Sequence, residues 1–450
     1  MSGAGNPLLW ISLLPLLGIA LAARAKFGSW RHPASFLCLV WICACGPAII
    51  FSVAPVSILA LMTLWGMIGA FVLGACVPQS ERRVESRPAD CARWVFDDHR
   101  LQRAVFVTGC IGVIAVASYV RSATPDLASL TSLEGWVQIA VKYSIARYQD
   151  EETETLFVRL LVGINYAGAI LAGILMAQRT GTGRRFVLFL PVLACCLITL
   201  LTTAKTPLLL GILCMLSGNF STRCVVGLTA SQRPKAGGQL RRLGLIALVV
   251  MVLLASLVLR YGGAAGVDLA LIAERSGSYA IGPVYAFSAW VSTGGLAVSE
   301  AGFGRYSIAG IFELLGIGRR VSGFYEYIVI NDATAESNIF SAFRGLIQDF
   351  YLPGALFLLF LLGILAQLLI SRRASSATSY AASIGLLSAI YLFVGWSPII
   401  SIFNYNGVHF AVFTVLFTLL ICVRRVVSGA RTEPGRQVVQ FSERTGRHGS

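Results

Sequence analysis

The chain has 450 residues, of which 56% are apolar and only 13% charged, and it carries a formal net charge of +15. A water-soluble protein of this length could not bury so much apolar surface, which excludes a soluble enzyme or binding module. The positive charge is spread over short stretches between apolar runs rather than gathered in one patch, so no nucleic-acid partner is expected.

In chain order, apolar runs suited to crossing a bilayer core are expected at about 7–23, 34–54, 56–77, 104–120, 157–178, 186–202, 207–219, 243–260, 352–371, 378–400 and 409–423. They predict an all-α, polytopic membrane protein of about eleven transmembrane helices. The integral domain is expected over 1–423 and a basic, disordered tail over 424–450. No basic stretch precedes the first run, and more runs follow, so it reads as a retained helix rather than a signal peptide. The sixth and seventh runs enclose "TTAKTP", a tight hairpin with Lys205 at its tip and Pro207 in the first turn of the returning helix.

Charge sets the expected orientation. The connections 24–33, 78–103, 179–185, 219–242 and 372–377, with the tail from 424, hold 25 of the 36 Lys and Arg but only 7 of the 21 Asp and Glu. The rest of the chain holds 11 basic and 14 acidic residues. The positive-inside rule assigns the basic connections to the cytoplasm. Two longer segments, 121–156 and 261–351, then lie outside. The second falls between the eighth and ninth runs and is too long for a plain connection. Its stretch "SYAIGPVYAFSAWVSTGG" is aromatic and weakly polar, so it is expected on the membrane surface or dipping back into the bundle. Short helices packed across the outer mouth are expected there.

The 11 Cys lie in apolar runs or cytoplasmic connections, so no disulfide framework is expected. No Cys, His or carboxylate spacing fits a metal site, and no cofactor is expected.

The candidate functional groups are charges on the disfavoured side. The outer cations are Arg121, Lys142, Arg147, Arg159, Lys205, Arg260, Arg275, Arg305, Arg319, Arg320 and Arg344. Each reads in one of two ways. It pairs with a nearby acid or snorkels to a lipid phosphate, or it belongs to a convergent set that binds a lipid diphosphate through charge-assisted hydrogen bonds. Arg147, Lys205 and Arg344 fit the second reading better, since they sit in polar-aromatic contexts beside spans. Asp349 opens the ninth run as a helix-start acid, a general base for a sugar hydroxyl, or an orienter of an Arg. Glu336 is similar. His409 reads as a structural group or a base. Tyr279, Tyr285 and Trp290 read as interfacial aromatics or as platforms for sugar rings.

Four stretches together resemble a known family: "YSIARYQDEETETLFVRLL", "LTTAKTPLLLGIL", "YAIGPVYAFSAWV" and "ESNIFSAFRGLIQDFYLPGALF". They are similar to the Wzy-type polymerases of O-antigen and other oligosaccharide repeat units, over about residues 100–400. The matching positions are Tyr279 and Gly282, then Asn338, Ser341, Asp349 and Gly354. The hairpin has Lys205 where the family often has Arg, and the family's Asp-Phe-Gly is "DFYLPG" here. The resemblance implies a metal-independent glycosyltransferase of the bacterial inner membrane. Such an enzyme moves a glycan from one undecaprenyl-diphosphate carrier to the repeat unit on another, at the periplasmic face. It further implies Asp349, Arg344 and Glu336 as catalytic residues. Arg147, Arg159, Lys205, Arg275, Tyr279, Arg305 and Asn338 would bind substrate. A chain-length regulator and a flippase are the implied protein partners. A ligase-like glycan transferase and a lipid-linked-sugar flippase are the alternatives.

Overall fold

The computed structural model describes residues 7–51, 56–77, 93–123, 132–148, 155–178, 186–227, 236–261, 269–317, 325, 328–329, 336–337, 340–371 and 376–426. Among the described residues the chain is all-α apart from two small ribbons. Its elements are α1 (Pro7–Phe27), α2 (Pro33–Phe51), α3 (Ile58–Ala75), β1 (Arg93–Phe96), α4 (Asp98–Ala123), α5 (Leu133–Tyr148), α6 (Leu156–Gln178) and α7 (Phe186–Thr202). There follow α8 (Thr206–Val226), α9 (Ala236–Tyr261), α10 (Leu269–Ser292), α11 (Ala309–Leu314), β2 (Ile328–Val329) and β3 (Glu336–Ser337). Last come α12 (Ala342–Ser371), α13 (Ala377–Trp396), a 3-10 turn at Ile402–Asn404, α14 (Asn406–Cys422) and β4 (Val423–Val426).

Each expected apolar run falls on a helix. Among the described residues, six helices are long and apolar enough to cross a membrane, and four shorter apolar helices accompany them. The apolar run drives each helix, because backbone groups removed from water must pair within the segment. Local signals then set the ends. Pro207 does stand in the first turn of α8, and Gly227 closes that helix in the left-handed conformation at φ 69°.

Packing centres on α6, whose "NYAGAILAGIL" stretch is buried almost throughout. Small residues let its neighbours approach backbone to backbone. A Cβ added at Gly173 would meet the Met215 carbonyl of α8, and one at Gly163 would meet Gly407 of α14. The α3–α12 contact is built the same way: Gly74 faces the Phe360 carbonyl, and Gly363 faces the Phe71 carbonyl.

The bundle has two distinct ends. At one, Gln367 Oε1 bonds His32 Nε2 at 2.9 Å, Cys224 reaches the Arg31 carbonyl, and Phe96 packs on Tyr380. This end carries basic connections. Here β1 pairs antiparallel with β4. The tail therefore does not lose order at 424 as expected: Val423–Val426 is a strand, held by the ribbon and by the Asp97 amide on the Cys422 carbonyl at 2.8 Å. The remainder of the tail lies outside the described residues.

The other end carries the described parts of the long segments, and these include helices. α5 lies within 121–156, and α10 and α11 within 261–351. α10 is not short: it has 24 residues and packs beside α2 and α3. Tyr285 donates to the Ala48 carbonyl at 3.0 Å, and the Ser57 amide donates to Ser288 Oγ at 2.8 Å. Of the two expectations for its aromatic stretch, insertion into the bundle is the one observed.

Candidate functional site

The site begins with a broken helix. α12 is two arms joined at Tyr351, whose backbone sits at φ 57° and ψ 169°. That region is strained for any residue with a Cβ, and Pro353 then starts the second arm. The expected start of the ninth run at 352 coincides with this break. The first arm, 342–350, packs on α2 and on the end of α13. Phe343 stacks on Trp41, with ring centroids 5.0 Å apart, and Trp41 Nε1 donates to Ser397 Oγ at 3.0 Å. Trp41 lies about 12 Å along α2 from its start at the rise of a helix. The arm therefore begins near the middle of α2. The Ala342 amide is satisfied there by the Ser397 carbonyl at 2.8 Å.

Arg344 is in the first turn of this arm. Its guanidinium carbon lies 3.9 Å from the Tyr325 ring centroid, 4.1 Å from Phe340 and 5.2 Å from Trp290. Such a cage offsets part of the desolvation cost, each good ring contributing about 0.5–2 kcal/mol. The helix works the other way. Its N-terminus is the positive end of the dipole, where a cation is disfavoured and an anion is stabilised. Next to Arg344, Ser341 is fully buried, and its hydroxyl has no hydrogen-bond partner among the described residues. Gln348 Oε1, on the same face one turn further, also lacks one. A buried polar group without a partner costs about 1–3 kcal/mol. Cation, helix start and orphan hydroxyl together describe a place for an anion.

A second cationic group sits at the α7–α8 hairpin. Lys205 Nζ lies 3.3 Å from the Tyr279 ring centroid, and Arg260 Nη1 donates to the Tyr279 hydroxyl at 3.3 Å. Thr203 holds φ at 53°, and its buried hydroxyl has no partner among the described residues. Burial, and then the charge of Arg260, lowers the Lys205 ammonium to about 7. Tyr279 and Trp290 are both on α10, eleven positions apart, or about 16 Å at helical rise. Lys205 and Arg344 thus form two centres, where the sequence suggests one.

Asp349 has a different part. It is fully buried. Its Oδ2 accepts the Ser307 amide at 2.7 Å and the Ser307 hydroxyl at 2.6 Å, and Oδ1 accepts the Tyr306 amide at 3.1 Å. It positions the segment after α10 and leaves no oxygen turned to a substrate. Gly302 is required beside it, because a Cβ there would strike Oδ1. Asp349→Ala would strand these donors, at about 1–3 kcal/mol each. The expected result is a clear drop in Tm of the purified protein, with Asp349→Asn intermediate because one carbonyl oxygen remains.

The other predicted residues are dispersed. Arg159 pairs with Glu313 at 2.8 Å, which in turn accepts Asn406 Nδ2 at 2.9 Å. Arg305 is exposed, and His409 Nε2 lies 2.7 Å from the Phe403 carbonyl oxygen. Arg147 is on α5, Arg275 on α10 and Glu336 on β3. Asn338, Arg319 and Arg320 lie outside the described residues. Sequence reasoning missed the cage residues Tyr325 and Phe340 and the role of Ser307, because no local pattern joins them to residues 344 and 349. No metal-binding group of His, Cys, Asp or Glu occurs among the described residues. No family model, curated protein or solved structure matches the chain.

Proposed function

We propose that the protein is a Wzy-type polymerase of undecaprenyl-diphosphate-linked oligosaccharide repeat units, working at the periplasmic face of the bacterial inner membrane. The single observation that carries this reading is Arg344, caged by three aromatic rings in the first turn of the helical arm that precedes the break at Tyr351. In the reaction an acceptor sugar hydroxyl attacks the anomeric carbon of the donor. The bond from that carbon to the phosphate oxygen breaks, and the lipid diphosphate leaves with the electron pair. Arg344 and the helix start stabilise the charge that develops on it. Glu336 is the proposed acceptor of the hydroxyl proton, since Asp349 is committed to Ser307 and Tyr306. The reaction engages two carrier-linked glycans at once and releases one carrier diphosphate. The Lys205–Arg260–Tyr279 group is the proposed seat of the second headgroup.

That seat is pH-sensitive. Lys205 loses its proton as pH rises through about 7. Chain extension by membranes supplied with lipid-linked repeat units should weaken above that pH. Lys205→Arg keeps its charge throughout, so its profile should lose the inflection. An unchanged profile would assign the cation no part in binding.

Broken helices whose ends face a ligand also occur in transporters, which keeps a flippase for the same lipid as the second reading. The surface-glycan ladder of a strain lacking the gene separates the two. A lost polymerase leaves core capped with a single repeat, and a lost flippase leaves bare core.

A further inference from the structure

The segment 303–317 takes no part in the proposed chemistry, yet it is firmly held. The Gly302 and Phe303 amides donate to the Gln348 and Asp349 carbonyls at 3.0 and 3.3 Å. The Ala309 amide donates to Asn404 Oδ1 at 3.0 Å, and Glu313 bonds Arg159 and Asn406. These ties fix its depth. Arg159 is in the first turn of α6, and Asn406 opens α14, whose next residue, Gly407, packs on Gly163 of α6. The segment therefore sits level with the first two turns of α6 rather than above the bundle. At that level α6 itself presents Leu156 and Phe157 outward.

At this depth the segment leaves Phe303 75% exposed, Leu315 66% and Ile317 63%. Arg305 is exposed between Phe303 and Tyr306. The second arm of α12 also presents an apolar face, Phe357, Leu361 and Leu365, spaced four apart and exposed. Tyr351, at the break, is exposed too. A patch of this kind facing water would be costly. One level with span ends, carrying aromatics and an Arg, fits the boundary between headgroups and acyl chains.

We propose that residues 303–317 form an interfacial anchor whose occupant is the phospholipid of the leaflet at this end. Phe303, Leu315 and Ile317 enter the headgroup–acyl boundary, and Arg305 reaches a lipid phosphate. Through Asp349 the anchor is strapped to the arm that carries Arg344, so it sets the depth of that cation below the headgroups. The inference is independent of the proposed reaction.

The test places benzoylphenylalanine at 303, 315 and 317, one position at a time, in the full chain. Each variant is reconstituted in nanodiscs of phosphatidylethanolamine and phosphatidylglycerol, irradiated, and read by intact mass. Phe357→benzoylphenylalanine gives the yield of a lipid-facing span position, and Glu300→benzoylphenylalanine that of an exposed residue just outside the segment. Phospholipid adducts at two or more of the three positions, at least about fivefold above the Glu300 yield, are expected of residues seated in the interface. Yields at the Glu300 level, lipid adducts at fewer than two positions, or adducts to a co-purified protein in place of lipid would overturn the anchor. All three side chains are exposed, so the replacements displace no core packing.

Discussion

Under the proposed reaction, Arg344→Ala should abolish chain extension, and Arg344→Lys should restore only part of it. The guanidinium lies among Tyr325, Phe340 and Trp290, and a planar, delocalised cation suits such a cage better than a compact ammonium. Its fork also gives a diphosphate two parallel hydrogen bonds, where Lys gives a point charge. Loss of one donor aimed at developing charge lowers a rate by about 10²–10³. The measurement is the polymer ladder at matched membrane expression, with Tyr325→Phe beside it. That change keeps the ring over Arg344, so the ladder should persist. A normal ladder from Arg344→Ala would remove the cation from the mechanism.

Gly74→Leu and Gly363→Leu should each unfold or severely destabilise the protein. Any side chain at Gly74 drives into the Phe360 carbonyl, and any at Gly363 into the Phe71 carbonyl. Neither obstacle is the end of a flexible side chain that can swing away. Overpacking of this kind costs about 1–3 kcal/mol and more where backbone must move. The expected readout is loss of monodisperse protein in detergent, or a Tm lowered well below wild type. Gly18→Ala is the internal comparison, because nothing stands near that position. In a helix it should be neutral or add about 0.5–1 kcal/mol.

The helices of the bundle were legible because an apolar run in a membrane has few alternatives. α10 was only half legible. Gly277, Gly282, Pro283 and several Ser residues dilute its apolar face, although Tyr285 and Trp290 become buried once α2 and α3 pack on it. The break at Tyr351 left one trace, Pro353. The apolar run expected at 352–371 matches the second arm and says nothing of the first. β1 and β4 were hidden for another reason: "RWVF" and "VRRV" alternate too briefly to signal strands, and each needs the other to exist.

The site divides in the same way. Arg344 and Lys205 stood out because charge beside an apolar run is expensive wherever it lands. Tyr279 and Trp290 stood out as well, but not as partners of these cations, and Tyr325 did not, since all three reach them from elsewhere in the chain. Asp349 was visible as an acid at a span edge. Its meaning depends on Ser307, forty-two positions earlier, and no spacing rule reaches that far. The expected convergence of Lys205 and Arg344 became two centres, because α10 separates Tyr279 from Trp290.

The small ribbon at the basic end has a consequence for how the molecule is made. Arg93–Phe96 leaves the ribosome early, and its partner, Val423–Val426, follows some 330 residues later. Until then the start of α4 has no strand to hold it and no Cys422 carbonyl for the Asp97 amide. So remote a pairing is slow to form and comes after local structure. This ribbon therefore fastens the start of α4 to the end of α14 only after all the helices between them have been made.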